Sequence, residues 1–194
     1  RQRQGLDSRF NGIVIGVVEF MEERKGHRVL IEALADLAGR QPELMEKLVV
    51  WFEGDGYLKG DLEIRVAAMG LSGVVRFIGH EGHIVNMMNA LDILVLPSIS
   101  NEDFPNVTLE AMGLGKAVIA SSLAGTPEQI IHGETGLLVE PGNVESLAEA
   151  IFQMVSDPDL IRRMGASGKR RFDECFGADI AVKKYVQLYD SLTT

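Results

Sequence analysis

The sequence predicts a single doubly wound α/β domain built on a parallel sheet of about six strands. Three observations carry that prediction. Short, near-continuous Val/Ile/Leu runs recur from end to end, as strands buried on both faces of a parallel sheet require. Amphipathic stretches of helical period separate them. The 194 residues, 46% apolar and 24% charged, suffice for one sizeable core and do not have the composition of a disordered segment.

The expected strands are Ile13 to Phe20, Leu48 to Glu53, Val74 to Gly79, Ile93 to Leu96, Ala117 to Ser121 and Leu137 to Val139. Between the first two, His27 to Ala38 repeats Leu30, Ala33, Leu34 and Leu37 at helical spacing, and Gly39 offers a stop. Tyr57 to Met69, His83 to Ala90 and Asn106 to Leu114 continue the alternation. Thr126-Pro127-Glu128-Gln129 reads as an N-cap with Pro at the first helical position. Asn143 and Asp157 are caps for two further helices, and Ala178 to Leu192 forms the last one, presenting Ile180, Val182, Tyr185, Val186 and Tyr189. Alternating β and α elements imply a parallel sheet with right-handed crossovers. Ligands of such sheets bind at the carboxyl ends of the strands, so the loops after the strands are the ones to search.

Composition narrows the partners. A formal net charge of -9 argues against nucleic acid, whose phosphates need excess Lys and Arg. Cys175 is the single cysteine, so no internal disulfide forms and a reducing, cytoplasmic setting is expected. The opening Arg1 and an unpatterned "RQRQ" suggest a piece of a longer protein.

The first loop, "MEERKGHRVL", gathers Arg24, Lys25, His27 and Arg28 at a strand-to-helix turn. Cations at a helix N-terminus oppose its dipole, which favours a role toward an anion such as phosphate. The Gly54-x-Gly56 turn is weak evidence by itself. His80-x-x-His83 with Glu81 lacks a remote ligand at convincing spacing and predicts no metal site. The fourth loop, "SNEDFPNVTLEAMGLGK", places Glu102 before a helix start near Asn106 and Glu110 about one turn inside it. Four helical and four extended residues set their Cα atoms on the order of 10–15 Å apart. Free N–H groups near Asn106, Val107 and Thr108 lie between them and suit an anion. Carboxylates on either side repel phosphate but accept hydroxyls, a layout that matches a sugar nucleotide.

The ordered segments "RKGHRVLIEAL", "FEGDGYL", "VRFIGH", "ALDILVLPS", "NEDFPNVTLEAMGLGKAVIAS", "AGTPEQIIHGETGLLVEPGN" and "SLAEAIFQMVSDP" resemble the C-terminal domain of the retaining glycosyltransferases of family 4, also called glycosyl transferases group 1. The resemblance runs from about Gly12 to Tyr189, and its strongest element is Glu102-x7-Glu110. It implies half of a GT-B architecture, a Rossmann-like donor-binding domain at 12–194 ending in a helix at 177–194, with 1–11 left over from an interdomain linker. It further implies transfer of a hexose, with retention and without a metal or other cofactor, from a nucleoside diphosphate sugar to an acceptor. That acceptor sits on a missing N-terminal domain, which also supplies the family's catalytic histidine, so the isolated domain is expected to be inactive.

By the same resemblance Lys25 contacts the diphosphate, Glu102 the hexose hydroxyls and Glu110 the ribose; Lys25 and Glu102 are the expected catalytic groups. Asp103, Phe104, Asn106 and Val107 join the donor site, and Ile78 and Gly79 pack on the base. One departure stands out. Many members carry Gly-Arg where this chain has Glu19 and Phe20, with the Arg joining the Lys on the diphosphate; donor binding is expected to be weaker unless Arg24 or Arg28 substitutes. Two competing readings are a sugar hydrolase using the two acids as a pair and a non-catalytic nucleotide-binding or interaction module of the same fold. Membrane contact by a full-length enzyme is not legible in this acidic stretch.

Overall fold

The computed structural model describes residues 10–79 and 84–192. The expected linker at 1–11 therefore lies almost wholly outside the described residues, as does the His80–His83 loop. Six strands form one all-parallel sheet: β1 (Ile13–Val18), β2 (Leu48–Glu53), β3 (Val75–Gly79), β4 (Ile93–Leu96), β5 (Ala117–Ser121) and β6 (Leu137–Val139). Their order is β3-β2-β1-β4-β5-β6, the doubly wound arrangement. The helices are α1 (His27–Arg40), α2 (Pro42–Met45), α3 (Lys59–Ala68), α4 (Ile84–Ala90), α5 (Asn106–Gly113), α6 (Thr126–Gln129), α7 (Val144–Ser156), α8 (Pro158–Cys175) and α9 (Ala178–Leu192).

The continuous apolar runs are explained by two cores, one on each face. Ile15, Val17, Val50, Phe52, Ile93, Val95 and Ile119 point to a core shared with α1, α3 and α7. Their neighbours Val14, Val18, Val49, Trp51, Leu94, Leu96 and Val118 point to the other, shared with α4 and α5. Successive strand residues face opposite ways, so a strand covered on both sides needs apolar residues at every position.

Several boundaries differ from the sequence expectation. β1 stops at Val18 because its partner β2 ends at Glu53, the last residue in register with it. Gly39 does not end α1, which runs to Arg40; the break comes at Gln41, held out of the helical region ahead of Pro42. Thr126 is the first residue of α6 and not its cap, a place taken by Gly125. The caps at Asn143 and Asp157 form as expected: Asn143 accepts from the Ser146 amide, and Asp157 from the amides of Asp159 and Leu160. Helix α9 forms too, but it buries none of its residues, so Val182, Tyr185, Val186 and Tyr189 are exposed. No helix among the described residues is long and apolar enough to cross a membrane.

His27 opens α1 fully buried, edge-on to Phe52, with neither ring nitrogen hydrogen-bonded among the described residues. Burial, helped by the Lys25 charge, lowers its pKa to about 4. The folded state thus holds the neutral ring. Its contribution is complete above the unfolded value of 6.5 and is lost as pH falls toward about 4. Urea unfolding should show about 3 kcal/mol of acid-dependent loss from this residue over that window. His27→Phe should flatten that part of the slope relative to the wild type.

Candidate functional site

The site lies where the winding of the sheet reverses. β1 pairs with β2 on one side and β4 on the other, so a crevice opens beyond the carboxyl ends of β1 and β4. Two loops close onto each other there. The loop after β1 passes through a short 3-10 turn, Glu23–Lys25, and enters α1 at Gly26. Gly26 has φ 67°, and a Cβ on it would lie 1.9 Å from the Pro97 carbonyl oxygen. Glycine alone permits this turn to rest against the end of β4. The Ile99 amide donates to the Arg24 carbonyl at 2.8 Å and fastens the two loops together.

That contact carries Lys25 into the seam, where it is only 6% exposed. Its Nζ donates to Glu102 Oε1 at 2.5 Å and pairs with Glu19 Oε2 at 2.8 Å. Ser98 Oγ donates to the same Glu102 oxygen at 2.8 Å, so the carboxylate is oriented from two sides. Burial raises the Glu19 pKa above its ordinary value, against the lowering effect of its hydrogen bond to Lys25. Arg24 donates to the Asn101 carbonyl at 2.9 Å and pairs with Glu22 at 2.5 Å.

The loop carrying Glu102 is supported from behind. Gly125 donates its amide to the Asp103 carbonyl at 2.8 Å. A Cβ there would stand 2.5 Å from that oxygen and 2.6 Å from the Phe104 ring. Gln129 Nε2 donates to the Pro105 carbonyl at 3.1 Å. Arg171, from α8, donates to the carbonyls of Glu128 and Gln129, each at 2.8 Å. The Phe104 ring meets Phe176 edge-on at 6.0 Å. Helix α5 then starts at Asn106 with Pro105 at its cap position and no side chain capping it. Its first-turn N–H groups are left for another acceptor.

A cleft of about 640 Å³ results. It brings together Lys25, Glu102, Asp103, Phe104, Asn106, Val107 and Glu110 from the residues singled out in the sequence. Glu102 is buried and paired, whereas Glu110 is exposed on α5. Ile78 and Gly79 are not part of this lining. They end β3, an edge strand two places from β1 and so about 10 Å away. Ile84, at the start of α4, supplies an apolar wall instead.

Sequence reasoning missed Ser98, Gln129 and Arg171 as supports, and did not pair Glu19 with Lys25. The Gly-Thr-Pro-Glu segment, which the sequence reads as a helix start and as part of the family resemblance, is the signal for the Gln129 support. Arg28 does not reach the cleft lining; it is held by Glu23 at 2.6 Å and Asp61 at 3.0 Å. Among the described residues, no group of three or more His, Cys, Asp or Glu could hold a metal ion.

Residues 1–171 match the family described as Glycosyl transferases group 1. The chain belongs to this family. It is 32% identical over 189 residues to the lipopolysaccharide core biosynthesis glycosyltransferase LpsE of Rhizobium meliloti, covering 97% of this chain and 53% of that protein. It is 35% identical over 173 residues to a D-inositol 3-phosphate glycosyltransferase of Streptomyces avermitilis, covering 85% of this chain and 37% of that one. The chain thus spans about half, or less, of the length of these relatives.

Among solved structures, Anabaena HepE in complex with UDP superposes with a TM-score of 0.81 at 27% identity, over 94% of this chain and 49% of that one. The C-terminal domain of LpcC, a glycosyl transferase group 1 family protein of Francisella tularensis, gives a TM-score of 0.77 at 28% identity, over 86% of this chain and 87% of that domain. The fold is accordingly the Rossmann-like C-terminal half of a GT-B glycosyltransferase.

The Gly26 contact generates a direct expectation. Gly26→Ala combines a strained backbone with a clash against Pro97 and should cost about 2 kcal/mol or more in urea unfolding. It should also separate Lys25 from Glu102, which a crystal structure of the folded variant will report.

Proposed function

We propose that this chain is the donor-binding half of a retaining glycosyltransferase that moves a hexose from a nucleoside diphosphate sugar to an acceptor held by a separate N-terminal domain. The observation that carries this reading is the convergence of Lys25, Glu102, Glu110 and the uncapped start of α5 on one cleft at the switch point of the sheet. Solved relatives lend support: Anabaena HepE has been crystallised with UDP-glucose, at a TM-score of 0.80 and 27% identity.

In this reading the diphosphate lies over the first turn of α5, where the Asn106 and Val107 amides and the Lys25 ammonium compensate its charge. Departure of the nucleoside diphosphate increases negative charge on the leaving oxygen, so these donors act more strongly in the transition state than in the ground state. Glu102 takes hexose hydroxyls on the oxygen not shared by Lys25 and Ser98. Glu110, exposed on α5, takes the ribose hydroxyls. Asp103 and Phe104 border the sugar, and Ile78 with Gly79 reads the base from the neighbouring edge. No metal or other cofactor takes part, and the reaction belongs in the cytoplasm, in keeping with a single unpaired cysteine. A hydrolase reading fits less well, because Glu102 is committed to an ion pair and a hydroxyl where a general acid would carry a proton.

Calorimetry with UDP, GDP and ADP tests the proposal. Binding of at least one is expected, and absence of heat for all three at millimolar concentration would count against it. Glu110→Ala, on the surface of α5, should weaken binding about tenfold without changing the melting temperature. Lys25→Ala should weaken it further; its melt must be followed in parallel, since the buried Glu102 and the half-buried Glu19 lose their partner. The chain alone should show no sugar transfer, and regain it only with an acceptor-binding domain. Failure of that reconstitution despite nucleotide binding would favour a non-catalytic nucleotide-binding module.

A further inference from the structure

We propose that Glu19 is a negative determinant of donor affinity, competing with the donor diphosphate for the Lys25 ammonium. The inference rests on the donor-binding reading above and concerns what limits that site. Lys25 is a compact cation whose ammonium already meets two carboxylates, at 2.5 Å and 2.8 Å. Glu102 has a second task in the same loop, oriented by Ser98. Glu19 has none: its carboxylate meets only Lys25 among the contacts described, and it faces the same cleft.

The charge balance of the cleft makes this competition matter. Four carboxylates, those of Glu19, Glu102, Asp103 and Glu110, outnumber its two cations, Arg24 and Lys25. A diphosphate entering there meets net repulsion, and Glu19, 2.8 Å from the ammonium, adds to it directly beside the cation the phosphates need. Arg24, the cleft's other cation, is engaged by Glu22 and by the Asn101 carbonyl. Phe20 is 52% exposed and uncharged, and Arg28 is committed to Glu23 and Asp61.

Nor does Glu19 swing aside freely. Its amide donates to the Glu53 carbonyl at 3.1 Å, and that of Met21 to Asp55 at 2.7 Å, so its backbone is pinned from both ends. The carboxylate is also buried at a cost, since desolvation outweighs the help it receives from Lys25. Neutralising the carboxylate leaves Lys25 paired with Glu102 and free to turn one donor to phosphate.

Calorimetry of UDP, GDP and ADP, each beside its nucleoside, on wild-type, Glu19→Gln and Glu19→Ala proteins decides the matter. Both variants should bind the diphosphate about tenfold more tightly, the worth of one charge-assisted hydrogen bond, with nucleoside binding unchanged. Glu19→Ala also serves if Glu19→Gln fails to fold, as judged by circular dichroism. Unchanged or weaker diphosphate binding by folded variants of a wild type that does bind overturns the role of Glu19. Equal tightening of the nucleoside overturns it too, since the effect then bypasses the phosphates. Absence of binding by every protein to every nucleotide overturns the donor-binding reading itself, and this inference with it.

Discussion

A single ammonium group, that of Lys25, organises the functional end of this domain. Burying it costs several kcal/mol of hydration, which only close and well-oriented carboxylates return. The contacts at Glu19 and Glu102 meet that requirement from two separate loops. The ammonium therefore acts as a pin between the segment leaving β1 and the segment leaving β4. Gly26 makes the pin geometrically feasible by allowing the Lys-Gly turn to press on the Pro97 carbonyl. The stretch from Ile99 to Glu102 takes its position from this seam.

The second half of the site depends on support from below. The loop from Asn101 to Pro105 has no regular structure of its own, yet its carbonyls at Asp103 and Pro105 are both engaged by the Gly125–Gln129 segment. Arg171 in turn grips that segment from α8. A rigid scaffold thus carries an irregular loop, the arrangement expected wherever a loop must hold ligand-binding groups in fixed places. The start of α5 inherits this rigidity, and with it the direction of its uncapped amides.

The two acids of the Glu-x7-Glu motif end up in unlike environments despite their shared residue type. Glu102 is 8% exposed and bound by a cation and a hydroxyl, which makes it an oriented acceptor. Glu110 projects from the exposed side of α5, open to solvent. Their division of labour comes from burial. The same principle applies to the basic cluster: Lys25 enters the seam, Arg24 borders the cleft, and Arg28 turns to Glu23 and Asp61 on the surface.

Strand and helix order, the parallel sheet, the Asn143 and Asp157 caps and the two acids of the fourth loop were all legible from local pattern. Hydrophobic period and capping chemistry act over a few residues, and a strand buried on both faces writes itself as an uninterrupted apolar run. Helix ends were less legible: Gly39 looked like a stop, but the break came from Pro42 constraining Gln41. Which charges meet was not legible at all. Lys25 and Glu102 are 77 positions apart, and only the placing of β4 directly beside β1 makes them neighbours. The sequence by itself determined the elements and the kinds of group at the site. The tertiary structure decided that Glu19 and Glu102 share one ammonium, because side-chain pairing across a sheet follows strand order, which local periodicity does not encode.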